Sequence, residues 1–350
     1  MTASRCSPYT LRATIRNSAI LAHLPTTPAE PVHAPGVGAL VLDCFDPAAM
    51  AGALQRGSLE HTQLARGSFR GRIGRSGDGR TRLDWGRYNL PLLVSGCVAP
   101  DCLSVGYLHS ARGEGSLNGR SIRAGDVAVL GEREDLYLGL PPETEWVALQ
   151  LPRTWVGACF TGEDDVPTGV FRPTAEGRAS LARAVREMRE LVGPGTQAGV
   201  GVAPEVISAA HENLLGAFLA ALGTAGRPRE RDLAGTRANR VRIVRRAQDY
   251  AAARLGEAIR IPELCAAAGA SLASLERAFA DLHGMSPKRF LTLHRLSRAR
   301  RALIHGSVDA STVTDAATAC GFFHLGRFAE QYKAFFNEPP SATLRLARAA

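Results

Sequence analysis

The stretches GASLASLERAFADLHGMSP at positions 269–287 and GFFHLGRFAEQYKAFFNEPP at positions 321–340 carry one pattern twice. In each, a glycine opens a segment with apolar residues at helical spacing, and proline closes it. Corresponding residues are 53 positions apart in three pairs: Leu275 and Phe328, Phe279 and Tyr332, Pro287 and Pro340. Such a repeat indicates two copies of one supersecondary unit.

Each copy predicts a short helix, a turn and an amphipathic helix. Pro262 stands at the first turn of the short helix, where its missing N–H costs nothing, and Gly269 follows its end, where positive φ is easy. Ser271 can cap the next helix, whose apolar residues recur at i, i+4 and i+7. This is the layout of a helix-turn-helix. Residues 312–336 repeat it, and 286–304 predict one longer connecting helix.

These residues resemble the AraC/XylS-type transcription regulators, whose DNA-binding domain is two helix-turn-helix units joined by a long helix. The resemblance covers about 240–346 and rests on the order of Leu-Glu-Arg-Ala-Phe at 275–279, Gly-Met-Ser-Pro at 284–287, an arginine-rich connecting helix and Cys-Gly-Phe-Phe at 320–323. It implies a sequence-specific DNA-binding regulator, an effector-responsive activator that binds double-stranded DNA and contacts RNA polymerase.

The basic surplus of the chain lies with this repeat. Residues 236–350 hold 18 Lys and Arg against 9 Asp and Glu, whereas the remainder holds 24 of each sign. The whole formal charge of +9 therefore belongs to the C-terminal third. A phosphate backbone is the partner that such a surplus predicts, with binding that weakens as salt rises.

The N-terminal part predicts a separate β-rich domain, so the fold class is α+β with two domains. Residues 1–35 lack periodicity and predict a flexible tail. Short apolar runs then predict strands of an antiparallel β-barrel or sandwich, with a hairpin at Asn118-Gly119. The runs lie at 39–45, 69–73, 90–94, 103–108, 127–130 and 146–151.

Two helices are predicted to follow the strands, at 175–192 and 204–222. Each carries a narrow apolar stripe, so the pair suits dimerisation, although the stripes would serve equally to cover one face of the barrel. The sensory and dimerisation domain then spans 36–222. Residues 223–236 show no apolar face and predict an interdomain linker, which leaves 237–350 as the DNA-binding domain.

The N-terminal part resembles the cupin-like sensory domain of the ethanolamine-responsive branch of the same regulators. The motifs are Gly67-Ser68-Phe69, the segment 83–89 and Leu117-Asn118-Gly119-Arg120. This resemblance implies a sensory role for an unidentified small-molecule effector. The residues that would line a pocket, or else pack as ordinary barrel core, are Trp85, Arg87, Tyr88, His109 and Trp146.

The second helix of each unit is expected to enter the major groove with its early residues at base edges. By family position, the first reading helix presents Ser271, Ala273, Ser274, Glu276 and Arg277. Arg277 can pair bidentately with guanine, or else contact phosphate or an intrahelical partner, Glu276 or Asp281. The second presents His324, Leu325, Gly326, Arg327 and Glu330, with Gln331 and Lys333 beside them.

The second reading helix departs from the family pattern. Glu330 stands where many relatives carry a basic residue, and Gly326 contributes no side chain. We therefore expect the second unit to hold DNA less tightly. Arg295 and Arg298 on the connecting helix are candidate phosphate contacts, although a solvated basic face would look the same in sequence.

Other classes of site find little support in the sequence. The seven cysteines include no C-x-x-C pair, so we predict reduced thiols in a cytoplasmic protein, with neither zinc nor disulfides. His61 and His109 have no acidic partner at ligand spacing, so no metal or cofactor is predicted. No apolar run approaches the ~20 residues that span a bilayer, and no G-x-S-x-G turn marks a nucleophile.

The sequence therefore predicts a one-component transcription regulator, not an enzyme, that acts as a homodimer. Two alternatives stay open: a cupin-type enzyme with an appended DNA-binding domain, and a regulator whose N-terminal domain binds a protein instead of a small molecule.

Overall fold

In a computed structural model, the chain is described for residues 38–47, 50, 58–100, 102–152, 168–192, 202–225, 234–254, 256–257, 259–305 and 312–349. The predicted tail and most of the predicted linker, 226–233, lie outside these ranges. So do Cys6 and Cys159.

The strands of the described part form two antiparallel sheets. The seven-stranded sheet contains, in spatial order, β1 (Gly38–Cys44), β3 (Gly71–Gly77), β4 (Arg82–Tyr88), β11 (Thr144–Pro152), β6 (Cys102–Ser110), β9 (Val127–Leu130) and β12 (Gly169–Phe171). The five-stranded sheet contains β2 (Ser58–Gln63), β5 (Leu92–Cys97), β10 (Asp135–Leu140), β7 (Gly115–Leu117) and β8 (Arg120–Ile122).

Helices complete the described part of the chain. α1 (Ala175–Val192) and α2 (Pro204–Gly223) follow the strands. The C-terminal region contains α3 (Ala234–Ala253), α4 (Ile261–Ala268), α5 (Leu272–His283), α6 (Pro287–His305), α7 (Val313–Ala319), α8 (Leu325–Phe336) and α9 (Pro340–Ala349).

The elements stack in layers, and strand alternation explains how. In β5, Leu92 and Val94 point into the core between the two sheets, whereas Leu93 points outward into the core of the C-terminal helices. Successive side chains of a strand face opposite sides, so the five-stranded sheet serves both cores. The order of layers is α1 with α2, the seven-stranded sheet, the five-stranded sheet, and the C-terminal helices.

The predicted antiparallel strand region is confirmed, and its two sheets do not close into a barrel. The chain leaves one sheet for the other between β4 and β5, at Pro91, and between β10 and β11, at Pro141. The edge strands are β1 and β12 in the seven-stranded sheet and β2 and β8 in the five-stranded sheet, so no strand pairing within the described residues joins the two sheets. The predicted hairpin is confirmed, with φ of 48° at Asn118 and 76° at Gly119. The cupin-like resemblance stays a prediction.

The two trailing helices cover the outer face of the seven-stranded sheet. Leu181 and Val185 of α1 and Leu214 and Phe218 of α2 are buried there against strand residues. The apolar stripes are thus used within the chain, which removes their support for dimerisation. By length and composition α2 is apolar enough to cross a membrane, but these contacts are those of a core helix.

The two predicted helix-turn-helix units and their connecting helix are confirmed. Gly269 ends α4 with φ of 61°, the left-handed conformation that glycine adopts without steric cost. Leu275 and Phe279 of α5 are buried with residues of α3 and α6, and Phe328 and Tyr332 of α8 are buried at the equivalent places. These four side chains are the ones that recur at helical spacing in the two copies of the repeat, which explains why they share the buried face of their helices.

Candidate DNA interface and ligand cavity

The first reading helix, α5, exposes its N-terminal end. The Ser271 hydroxyl caps the helix by accepting from the Ser274 backbone N–H at 3.3 Å. Such a cap satisfies one of the free N–H groups at a helix start. The predicted residues of this helix share one accessible face, with Ser274 half-buried and the others exposed: Ser271, Ala273, Glu276 and Arg277.

The second reading helix, α8, has an equally exposed N-terminal end but a different start. The preceding short helix α7 has a capping box between Thr312 and Asp315, whereas His324 at the start of α8 makes no side-chain cap. Gln331 is half-buried, and the remaining predicted residues are exposed: His324, Leu325, Gly326, Arg327, Glu330 and Lys333.

Arg277 is held along its own helix. Its Nε donates to the Ala273 carbonyl oxygen at 3.2 Å. Asp281, one of its predicted intrahelical partners, instead pairs with Arg240 at 2.6 Å. Because the Arg277 side chain is exposed, its guanidinium can turn toward an approaching base edge or phosphate by breaking one solvent-accessible hydrogen bond.

The strand region holds both reading helices by their C-terminal ends. The Leu282 carbonyl oxygen of α5 accepts from Ser116 Oγ at 3.5 Å, and the Phe335 carbonyl oxygen of α8 accepts from the Gly67 N–H at 2.8 Å. The last carbonyls of a helix have no partner within it, so these bonds satisfy them. Leu282 and Phe335 are 53 positions apart, which makes the two contacts equivalent in the repeat.

A carboxylate from β2 pairs with three basic side chains of the connecting helix α6. Glu60 lies 3.2 Å from Arg298 Nη1, 3.6 Å from Arg301 Nη1 and 3.4 Å from His294 Nε2. The hydrogen bond from His294, with further attraction from both arginines, outweighs partial burial and lowers the pKa of Glu60 to about 2. Glu60 is therefore ionised at neutral pH, and Arg298, a predicted phosphate contact, is paired within the protein.

The neighbouring arginines of α6 are also occupied. Arg295 donates through Nη2 to the Glu257 carbonyl oxygen at 2.7 Å. Arg300, with a largely buried side chain, lies 2.9 Å from Asp46 and 2.6 Å from Glu338. Arg295 and Arg298 thus each have a partner within the protein, and their role at phosphates stays a prediction.

A cavity of about 140 Å³ lies between the two sheets. Of the predicted effector residues, Tyr88 and Trp146 line it. Gly86, opposite Trp146 in the pairing of β4 with β11, keeps room for the indole, because a Cβ there would lie 2.9 Å from its ring. Sequence reasoning left out two polar residues that also line the cavity, His61 and Gln150.

The other predicted effector residues lie on the opposite face of the seven-stranded sheet. Trp85, Arg87 and His109 line a separate pocket beside α1. Arg189 of α1 covers Trp85, with its guanidinium carbon 5.8 Å from the ring centre. Arg87 and Tyr88 are consecutive in β4 and so face opposite sides, which is why the five predicted residues do not form one site.

Sequence reasoning also missed two exposed apolar side chains beside the reading positions. Leu272, the first residue of α5, is 51% exposed, and Phe323, just before α8, is 59% exposed. Apolar surface at the start of a reading helix can contact thymine methyl groups. Within the described residues, no group of three His, Cys, Asp or Glu is placed to hold a metal ion.

Comparison with known proteins places these helices in a family. A helix-turn-helix domain model matches residues 264–346. The chain is 36% identical over 103 residues to the "Probable thc operon regulatory protein" of Rhodococcus erythropolis, covering 29% of this chain and 31% of that protein. It is 40% identical over 72 residues to the "XylDLEGF operon transcriptional activator" of Pseudomonas putida, covering 21% and 22%. The aligned segments therefore span less than a third of these relatives.

One solved structure is also similar to this chain. A probable AraC family transcriptional regulator from Rhodopseudomonas palustris CGA009 is 39% identical to this chain, with 30% of this chain and 96% of that chain covered and a TM-score of 0.27.

Proposed function

The chain belongs to the AraC/XylS family of transcription regulators, and from this premise we propose that its paired reading helices bind specific DNA under the control of its strand region. In this proposal, α5 and α8 enter successive major grooves, which are about 34 Å apart. Arg277 pairs with a guanine, while Arg327 and Lys333 contact phosphates or base edges.

The observation that carries the proposal is that the two reading helices make equivalent contacts with the strand region. Both are held by the strand region at their C-terminal ends, through the carbonyls of Leu282 and Phe335. Both leave exposed the N-terminal residues that a groove-bound helix presents to bases. The formal charge of +9 in residues 236–350 supplies the attraction to phosphate.

The proposed input is a small molecule bound by the strand region. A cavity lined mainly by apolar side chains, with polar ones such as His61, Tyr88 and Gln150 among them, has the character of a small-molecule site and favours this input over a protein partner. A ligand would act through a difference in its affinity for two arrangements of the helices. The pairing of Glu60 with α6 offers one contact that differs between such arrangements.

The remaining parts of the proposal follow from the family. The Pseudomonas putida relative is named as an operon activator, so we assign this chain activation of a nearby operon, with contact to RNA polymerase. A homodimer and a cytoplasmic location complete the assignment. A homodimer would place two copies of each reading helix on one operator.

Selection of DNA by the purified full chain tests the proposal. Random duplexes should yield an enriched sequence that binds at least about 100-fold more tightly than scrambled DNA. Arg277→Glu should weaken binding to that sequence about 100-fold by removing a bidentate contact and adding repulsion.

Arg345→Glu provides the control, because Arg345 is an exposed arginine of α9 outside the reading helices. Its charge change is the same, so any general electrostatic loss appears in both variants. Failure to enrich any sequence, or equal losses in the two variants, would overturn the proposed function.

A further inference from the structure

We infer that the cavity between the sheets binds an uncharged, mainly apolar molecule about the size of one six-membered ring, bearing a hydrogen-bonding group. The inference rests on the proposed sensory function and names the chemical class of the ligand. The volume of the cavity, its polar atoms and its charged residues each define one property of this ligand.

The size and the lining set the body of the ligand. A cavity of about 140 Å³ compares with the apolar cavities of roughly 150 Å³ that accept benzene. Most of its wall is aliphatic and buried, with contributions from both sheets: Val94, Val98, Leu117, Leu130, Leu136 and Leu140. Such a wall favours an aromatic ring or a compact aliphatic group.

Three polar atoms in the lining set the polar end. His61 Nδ1, the Tyr88 hydroxyl and Gln150 Oε1 are buried and have no hydrogen-bond partner among the described residues. Buried polar atoms without a partner are rare in proteins and costly. Three of them in the wall of one apolar cavity indicate a ligand that donates and accepts hydrogen bonds.

The neighbours of these atoms fix their roles. The amide nitrogen of Gln150 donates to Asp84 Oδ2 at 3.1 Å, which leaves its oxygen as the acceptor without a partner. Burial raises the pKa of Tyr88 well above its usual value, so its hydroxyl keeps its proton and can donate. A hydroxyl or amide group on the ligand, which both donates and accepts, complements this pair.

The charges of the lining exclude an ionic ligand. Among the described residues that line the cavity there is no Lys or Arg, and Asp84 is the one carboxylate. Arg75 and Arg82 already hold Asp84 at 3.2 and 3.1 Å. A bound carboxylate would have no cationic partner in the cavity, and a bound ammonium would meet an Asp84 carboxylate whose charge is already paired with two arginines. Either ion would therefore lose its hydration without a compensating ion pair.

The position of the cavity connects it with the DNA-binding helices. His61 lies on the inner face of β2, while the preceding residue, Glu60, faces α6 and pairs with Arg298 and Arg301. A ligand that bonds to His61 thus contacts the strand that holds the connecting helix. This adjacency makes a change in DNA affinity a second readout of binding.

A matched set of ring compounds tests the inference on the full-length protein by calorimetric titration and ligand-observed NMR. Benzyl alcohol and benzamide should bind, while benzoate and benzylammonium should bind at least about 100-fold more weakly, because their shape is similar and only their charge differs. Toluene should bind more weakly than benzyl alcohol, because it leaves the polar atoms unpaired.

Two variants locate the binding. Tyr88→Phe should weaken benzyl alcohol about 10-fold and leave toluene unchanged, since only a hydrogen bond is lost. Ala128→Leu should abolish binding of both by filling the cavity. Tyr250→Phe, a tyrosine of α3 outside the cavity, provides the matched control, and thermal melting followed by circular dichroism verifies that each variant folds.

Several results would overturn the inference: equal affinity for charged and uncharged probes, no difference between alcohol and toluene in Tyr88→Phe, or no binding by any probe. Parallel measurement of DNA affinity separates this question from the proposed function. If benzyl alcohol binds without changing DNA affinity, the ligand class stands and the sensory function fails. If the protein never binds DNA, only the DNA-binding function fails.

Discussion

The two helix-turn-helix units share their length and core spacing but differ at equivalent positions of their reading helices. Arg277 of α5 corresponds to Glu330 of α8, 53 positions later, and both are exposed. Buried His283 at the end of α5 corresponds to buried Phe336. The two units therefore have opposite charges at the same position of the reading face. At the other end of the helix, the first unit has a titratable ring and the second has a ring that does not titrate.

The cores of the two units also differ, because only the first includes buried residues of the five-stranded sheet. The first unit shares its core with Leu93 and Tyr137 of the five-stranded sheet. Tyr137 and His283 face each other with ring centres 5.6 Å apart. The second unit has an aromatic core of its own, in which Tyr332 lies 5.6 Å from Phe328 and 4.6 Å from Phe336.

This difference indicates a division of roles. The first unit cannot move without disturbing the sheet that lines the ligand cavity, because Leu93 and Tyr137 belong to both layers. The second unit packs on α6 and touches the strand region at few places, among them Gly67. We therefore expect the first unit to respond to the strand region and the second to follow through α6.

The largest effect should come from emptying each core. Leu275→Ala and Phe328→Ala, at equivalent buried positions, should each lower the free energy of unfolding by about 3 kcal/mol or more. Hydrogen exchange should rise in β5 and β10 for Leu275→Ala only, because only that core includes the sheet. Leu346→Ala, at a 66% exposed position, is the control. Equal exchange in the strands for both core variants would contradict the division.

Acid should destabilise the first unit selectively. Burial lowers the pKa of His283 from 6.5 to about 4, so the folded protein binds fewer protons than the unfolded chain between these values. The stability that neutral His283 contributes is complete above pH 6.5 and is lost as pH falls toward 4, by up to roughly 3 kcal/mol.

His283→Phe copies the second unit and should remove this part of the pH dependence. The measurement is urea unfolding at pH 7, 5.5 and 4, compared between the wild type and the variant. The comparison isolates His283, because burial also lowers the pKa of His61 and His211 in both proteins. Parallel curves for the two proteins would show that His283 is not the group that titrates.

Charge conversion of the second reading helix should strengthen DNA binding. Glu330→Arg gives α8 the charge that α5 has at Arg277, removes repulsion of phosphate and adds attraction. Affinity for non-specific duplex should rise about 10-fold, and the slope of log affinity against log salt concentration should become steeper by about one to two. Glu205→Arg on α2, an exposed glutamate far from the reading helices, should change neither. An unchanged affinity would mean that Glu330 does not face DNA.

A smaller effect is expected from releasing the connecting helix. Glu60→Gln removes the carboxylate that pairs Arg298 and Arg301, so non-specific affinity should rise about threefold and its salt slope by about one. Fluorescence anisotropy at several salt concentrations measures both. Glu114→Gln breaks an ion pair within the strand region, with Arg123 at 2.6 Å, and should leave both unchanged. An unaltered slope for Glu60→Gln would mean that these arginines stay away from phosphate.

The helical region could be predicted closely because its signals are local. Pro262, Gly269 and Ser271 mark helix ends through their own backbone preferences, and the apolar spacing defines the buried face within twelve residues. Strand β9 was predicted at its observed bounds for the same reason, since Val127-Ala128-Val129-Leu130 is uniformly apolar.

Two of the strands that escaped prediction, β2 and β4, carry charged residues whose burial or pairing arises only in the folded protein. β4 contains Arg82 and Asp84, a buried pair that resembles a surface segment in sequence. β2 contains Glu60 and His61, whose partners lie on α6 and in the cavity wall. Because β4 was not predicted as a strand, the alternation of its side chains between the two faces of the sheet could not be used to separate Arg87 from Tyr88. Residues of two faces were therefore assigned to one pocket.

The sequence by itself determined the duplicated helix-turn-helix, its concentration of positive charge and its candidate reading residues, because short-range spacing and net charge do not depend on how distant segments meet. Tertiary structure alone decided that two open sheets replace a barrel, that Glu60 occupies Arg298 and Arg301, and that His61, Tyr88 and Gln150 converge on one cavity. These features join residues far apart in the chain, and their energies arise from burial and pairing that no local pattern records.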